Sequence, residues 1–178
     1  MNRIGATVRE TADHAQQATD IEHNTNLRTA PTAAAIDVYT GVLFGELDWP
    51  SLSSEAQARG NDRLAIASAL FGLLRPTDQI PAYRMSGTVK LPRLGAVAGR
   101  YKPVLPTAIA DLAGGGLTVD LRSGTYVALG KAPAGALTIR VLTEKDGKRS
   151  IVSHFNKATK GQIVRQLLTE DVDAKDLV

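Results

Sequence analysis

The chain of 178 residues contains no cysteine. Disulfides, thiolate metal sites, iron–sulfur clusters and thiol nucleophiles are excluded together. Histidine is scarce as well: His14, His23 and His154 are scattered, with no H-x-x-x-H spacing and no local carboxylate pairing. Metal ligands must converge on one point, so no metal site and no cofactor is expected. No apolar run approaches the roughly 18 residues of a membrane-spanning helix. The first residues, MNRIGATVRETADHAQQ, lack the apolar region and cleavage-type ending of a secretory signal. These features predict a cytoplasmic protein with no membrane partner, and they set no oligomeric state. A nucleophile elbow (G-x-S-x-G), a Walker loop and a dinucleotide fingerprint are missing too, and 114-GGG-116 reads as a loop.

One absence is local. Between Asp78 and Asp111 there is no acid, whereas Arg84, Lys90, Arg93, Arg100 and Lys102 all fall there. From Arg140 to Arg165 seven bases stand against Glu144 and Asp146. Acids gather at the end, in Glu170, Asp171, Asp173 and Asp176. The net charge is only +3, so it is the segregation that predicts a positive face and an anionic partner. Hydrophobic content of 43% with 22% charged residues predicts one globular domain over residues 1–178, with a core of its own.

Residues 8–30 read as a polar helix ending near Pro31, followed by a short piece, 32-TAAAIDVYTGVLF-44, bent at Gly41. The pattern Ser54-Glu55-Ala56-Gln57 predicts the start of a short helix. Asn61 or Asp62 then caps a second helix, apolar nearly all round through Leu64, Ala67, Phe71 and Leu74, which places it in the core. Pro76 ends it. A Pro- and Gly-rich middle holds a short helix around 99–113. Strands are expected at 117–121, 125–129, 136–143 and 149–155, the last two joined at Asp146-Gly147, a strong hairpin signal. A final amphipathic helix, about 157–169, buries Ile163, Val164, Leu167 and Leu168 and exposes Lys157, Lys160 and Arg165. The class is α+β: a mixed sheet with a hairpin near the C-terminus and packed helices.

The chemistry on offer is basic and aromatic. Arg75, Tyr83, Arg84, Ser123, Tyr126, Lys157 and Lys160 sit at predicted element ends or in turns, where functional groups are commonly displayed. Arginine presents a planar fork to phosphate or carboxylate, and lysine adds a point charge. The segment 156-NKATKG-161 adds the free N–H groups of a helix start. An anion site fits these parts. The plainer alternatives are that Arg75 neutralises a helix C-terminus, that the tyrosines are core-edge rings, and that the lysines form a solvated face.

At these residues the sequence resembles the YaaA family of peroxide-stress proteins. The likeness runs through 26-NLRTAPTAAAIDVYTGVL-43, 63-RLAIASALFGLLRPTDQIPAYRM-85, 119-VDLRSGTY-126 and 153-SHFNKATKGQIVR-165. By that resemblance Asp37, Tyr39, Thr40, Gly41, Arg75, Pro76, Asp78, Tyr83, Arg84, Ser123, Tyr126, Lys157, Lys160 and Gly161 match family motifs. It implies a compact fold with a positively charged cleft, an element suited to DNA, and a role in limiting peroxide damage by keeping reactive iron low. Family members begin with a strand and a Ser-x-x-Lys motif, and neither occurs at the start of this chain. It is expected to be short of the family at that end and slightly at the other. Thr125 stands where the family commonly has an acid.

Two functions are expected on these grounds. The first is a stress-response protein that binds DNA or another phosphate-bearing ligand through Tyr39, Arg75, Asp78, Tyr83, Arg84, Ser123, Tyr126, Lys157 and Lys160. The second is an enzyme acting on a phosphorylated or nucleotide-like small molecule, with Lys157 as acid, base or nucleophile. Iron storage is disfavoured, because carboxylates and histidines are not clustered.

Overall fold

The computed structural model describes residues 24–91, 93–145, 147–150 and 153–172. Short elements follow one another from the start. Thr32–Ala34 pairs antiparallel with Gln79–Pro81, Ala33 opposite Ile80. The helical turn Ala35–Val38 has its first amides bonded to the Asp78 carbonyl (2.8 Å) and the Pro76 carbonyl (3.0 Å), so the stretch after Pro76 caps a helix distant in sequence. Gly41, at φ 104°, makes the expected bend before the helix Val42–Leu47. Helix Ser54–Arg63 also occurs where expected. Its cap is one residue earlier, with the Ser53 hydroxyl accepting from the Ala56 amide.

The expected core helix over 61–75 is not a helix. Residues Ile66–Ser68 and Gly72–Leu74 form an antiparallel hairpin with Ile66 opposite Leu74. The reason lies in its turn. The Ser68 hydroxyl oxygen accepts from the amides of Leu70 (3.2 Å) and Phe71 (2.9 Å), which diverts them from a helical ladder. Gly72 then takes φ +82°, a conformation an L side chain resists. Both faces of this hairpin are covered, so its apolar residues show no strand alternation, and a short apolar run of that kind also reads as a buried helix.

A second correction falls on 125–129, where a helical turn Gly124–Val127 replaces the expected strand. The flanking strands are Val119–Asp120 and Leu137–Thr138, paired in parallel across that turn. Helices Val97–Tyr101 and Leu105–Ala113 fill the middle, and Gly114 (φ 56°) closes the second. The C-terminal hairpin is present but narrower than expected, Thr143–Lys145 against Lys148–Ser150, with Gly147 at φ 71°. Asp146 and residues 8–23 of the expected polar helix lie outside the described residues. The last helix, Ser153–Thr169, buries Val164 and Leu168, leaves Ile163 and Leu167 half-buried, and packs chiefly on Val42–Leu47. That packing is close because Gly161 has no side chain: a Cβ there would collide with the Leu43 carbonyl oxygen.

The class is α+β, and among the described residues the strands pair two by two in five ladders. Two apolar clusters form the interior. One gathers Ala35, Ile36, Leu47, Leu52, Ile66, Leu74, Ile80, Val164 and Leu168. The other gathers Ala69, Val97, Leu105 and Leu129. The 66–74 hairpin joins them, giving Ile66 and Leu74 to the first, and Ala69 and Leu73 to the second. No helix of the described residues is long and apolar enough to cross a membrane.

Candidate functional site

All the tyrosines of the chain meet at the seam between the clusters. Tyr39 and Tyr83 pack on the first, and Tyr101 and Tyr126 on the second. Each arrives by a different local device. Tyr39 follows the helical turn Ala35–Val38, and Tyr83 follows the strand Gln79–Pro81. Next to it, Asn24 clamps the Arg84 backbone on both sides, donating to its carbonyl (2.7 Å) and accepting from its amide (3.1 Å). Tyr101 ends the helix Val97–Tyr101, and its hydroxyl donates to the Leu70 carbonyl at the tip of the hairpin (2.5 Å).

The centre is a chain of hydroxyls. Tyr83 Oη lies 2.6 Å from Tyr39 Oη and 2.6 Å from Ser68 Oγ, and Ser68 is fully buried. The rings hold this arrangement. Tyr39 stacks on Phe44, and Tyr83 meets the edges of Tyr39 and Phe71 at centroid distances of 6.2 and 5.4 Å. Burial pushes the Tyr39 phenol far above its ordinary pKa, Ser68 opposes that shift, and Tyr83 adds to it, with a smaller contribution from Tyr126. Tyr101 and Tyr126 are also raised, by burial first and then by Tyr83. Tyr39, Tyr101 and Tyr126 therefore stay protonated at physiological pH, as neutral hydrogen-bond donors.

A charged group sits beside it. Asp120, 7% exposed, accepts two hydrogen bonds from the Arg122 guanidinium (2.9 and 2.8 Å) and one from its amide (3.0 Å). Arg122 also reaches the Tyr126 carbonyl at 3.4 Å, tying the ion pair to the tyrosine-bearing turn. Lys160 is buried, not exposed as expected: its ammonium donates to the carbonyls of Leu121 (3.0 Å) and Arg122 (3.4 Å). Burial lowers the Lys160 pKa, and the Asp120 charge partly restores it. For Asp120, burial alone would raise the pKa. The bonds and charge of Arg122, with the charge of Lys160, outweigh it and hold the carboxyl below its ordinary range.

The sequence-predicted residues divide accordingly. Tyr39 and Tyr83 touch, Tyr126 lies within their electrostatic reach, and Lys160 anchors the 121–122 backbone. Arg75 does not end its own helix. It holds the last carbonyls of helix Ser54–Arg63, donating to Asp62 (2.5 Å) and Leu64 (3.2 Å). Asp78 closes the Pro76 turn by accepting from the Arg75 amide (2.8 Å). Arg84, Ser123 and Lys157 are exposed. Sequence reasoning missed Ser68, hidden in the supposed core helix. It also missed Asp120 with Arg122, whose one signal is the D-x-R spacing inside 119-VDLRSGTY-126.

Comparison with known proteins places the chain. Residues 6–178 match the family model described as peroxide stress protein YaaA. A UPF0246 protein of Streptomyces coelicolor is 44% identical over 153 residues, covering 84% of this chain and 58% of the relative. One from Corynebacterium efficiens is 47% identical over 154 residues, covering 85% and 61%. One from Phocaeicola vulgatus is 32% identical over 154 residues, covering 81% and 60%. The chain thus spans about three fifths of the length of these relatives. With nearly its whole length matched, and the 71–84 and 119–126 segments built into one tyrosine-centred seam, the chain belongs to the peroxide stress protein YaaA family.

Proposed function

We propose that this chain binds duplex DNA, or another phosphate-bearing partner, through a basic cleft, and so limits iron-dependent oxidative damage in the cytoplasm. The observation that supports this reading is the acid-free stretch 79–110, where Arg84, Lys90, Arg93, Arg100 and Lys102 are all exposed. Lys90, Arg93, Arg100 and Lys102 make no ion pair among the described residues, so their charge is available to phosphates. Binding of a labelled duplex, followed by fluorescence anisotropy across a salt series, tests it. Affinity should fall with a log–log slope of about −0.9 per phosphate neutralised, because each contact releases counterions. No binding at low salt, or binding indifferent to salt, would overturn the DNA reading.

A second reading is favoured by the hydroxyl chain, which is more finely positioned than phosphate neutralisation needs. It is an enzyme acting on a phosphorylated or nucleotide-like small molecule, with exposed Lys157 in the first turns of the last helix as the acid, base or nucleophile. Saturable binding of a nucleotide or sugar phosphate, weakly dependent on salt, would promote it.

A further inference from the structure

The hydrogen bonds around Ser68 have a direction. A serine hydroxyl has two lone pairs and one proton. Both lone pairs of Ser68 Oγ are engaged, by the amides of Leu70 and Phe71. Its proton must therefore be donated, and Tyr83 Oη at 2.6 Å is the acceptor. Tyr83 has one proton and a second lone pair left for Tyr39 Oη, also 2.6 Å away, and either hydroxyl of that pair can donate; donation from Tyr83 continues the row outward. In that direction Tyr39 receives the bond and keeps its own proton; the other hydroxyl in its reach is Ser68, whose lone pairs the two amides already engage. Backbone amides thus fix the polarity of the row at its Ser68 end, and successive bonds strengthen one another. The row is fully buried at Ser68 and half-buried at Tyr39.

We propose that Ser68–Tyr83–Tyr39 is a one-way donor array whose outer hydroxyl, Tyr39 Oη, binds an oxyanion, a phosphate oxygen of the partner, with Ser68 and Tyr83 as positioning residues. An oxygen rich in lone pairs and lacking a proton is what a fixed donor selects. Tyr39 and Tyr126 remain protonated, so no phenolate charge repels the ligand. Phe71, edge-on to Tyr83 and 38% exposed, supplies an apolar wall for an ester group beside the oxyanion. The ligand class rests on the phosphate reading above. The direction of the row does not.

The test has two parts. By NMR on the free protein, the Ser68 and Tyr83 hydroxyl protons should exchange slowly and the Tyr39 proton fast. Tyr83→Phe should remove the Tyr83 signal and leave the amides of Leu70 and Phe71 protected. A slowly exchanging Tyr39 proton together with a fast Ser68 proton would reverse the row and overturn the inference. By calorimetry, inorganic phosphate, a nucleoside monophosphate and a short duplex distinguish a free phosphate from a DNA backbone as the source. Tyr39→Phe keeps the ring and its packing, and should weaken whichever of these binds by about tenfold or more, the size of one hydrogen bond to a charged group. Tyr83→Phe should weaken it as well, with the double variant no worse than Tyr39→Phe alone. Ser68→Ala strands two amides and can unfold the hairpin, which is why Tyr39→Phe carries the decision. Unchanged affinity in Tyr39→Phe would sink the inference and leave the phosphate reading standing. Failure of the wild-type protein to bind any of the three would sink both the phosphate reading and the ligand assignment.

Discussion

Asp120, Arg122 and Lys160 bring formal charge into the interior, and water no longer screens it. The Asp120 and Arg122 side chains are 6% and 13% exposed, and their bidentate pairing offsets desolvation only while both partners remain. Asp120→Asn should destabilise the fold by about 3–5 kcal/mol in urea unfolding, because it leaves Arg122 and Lys160 without their counter-charge. The pH dependence follows from the directions of the shifts. Asp120 is held below the ordinary carboxylate value, so its contribution is present above about pH 3.9 and is lost as pH falls through the folded value. The Asn variant should lack that acid limb. The Lys160 pKa is lowered as well, by burial, so the folded state releases its proton more readily than the unfolded state does. Stability should therefore rise as pH approaches the ordinary lysine value near about 10.4, and Lys160→Met should flatten that rise. Arg75→Ala removes donors from two helix-end carbonyls and should lower stability by roughly 1–3 kcal/mol, measured the same way.

Among elements, the contact between Val42–Leu47 and the last helix depends on one absent side chain. Alanine is the better helix former by about 1 kcal/mol, so an isolated helix would gain from Gly161→Ala. Here the added methyl meets the Leu43 carbonyl oxygen, backbone that cannot step aside. We expect a net loss of about 1–3 kcal/mol by thermal or chemical unfolding. A more stable variant would show that the helices slide apart without penalty. The 66–74 hairpin illustrates what local pattern leaves undecided. Its residues satisfy a helical stripe and a doubly covered strand equally well. Ser68 and Gly72 settle the matter through turn geometry, and the side of Ser68 that directs the turn is visible only once the chain has bent. The helical turn at 124–127 was missed for a related reason: Thr125, Tyr126 and Val127 favour strands intrinsically. The turn sits between two strands paired in parallel, which need a crossover rather than a third extended segment.

For the molecule as a whole, the exposed bases at 84–102 predict a collective effect that is graded rather than all-or-none. Reversing Arg93 and Lys102 to glutamate should reduce the salt slope of duplex binding by about 0.9 for each phosphate contact removed. Circular dichroism should be unchanged, since both side chains are exposed and form no ion pair among the described residues. An unaltered slope would move the phosphate contacts away from this stretch.

The sequence by itself determined the absence of cysteine chemistry, the α+β class, the bend at Gly41, a hairpin between 143 and 150 and the family, because each rests on residue type or short-range spacing. The acid-free basic stretch was equally legible, since charge is a property of composition. Tertiary structure alone decided that Lys160 is inside, that Arg75 serves a helix other than the one expected to end there, and that Tyr39, Ser68 and Tyr83 share one row of hydroxyls. These are relations between residues 15 to 44 positions apart in the row, and 38 or 39 apart for Lys160 and its carbonyls. No local period encodes such distances. They are set by which apolar faces the two core clusters bring together, and the polar groups caught at the seam must then find partners among whatever packing has placed beside them.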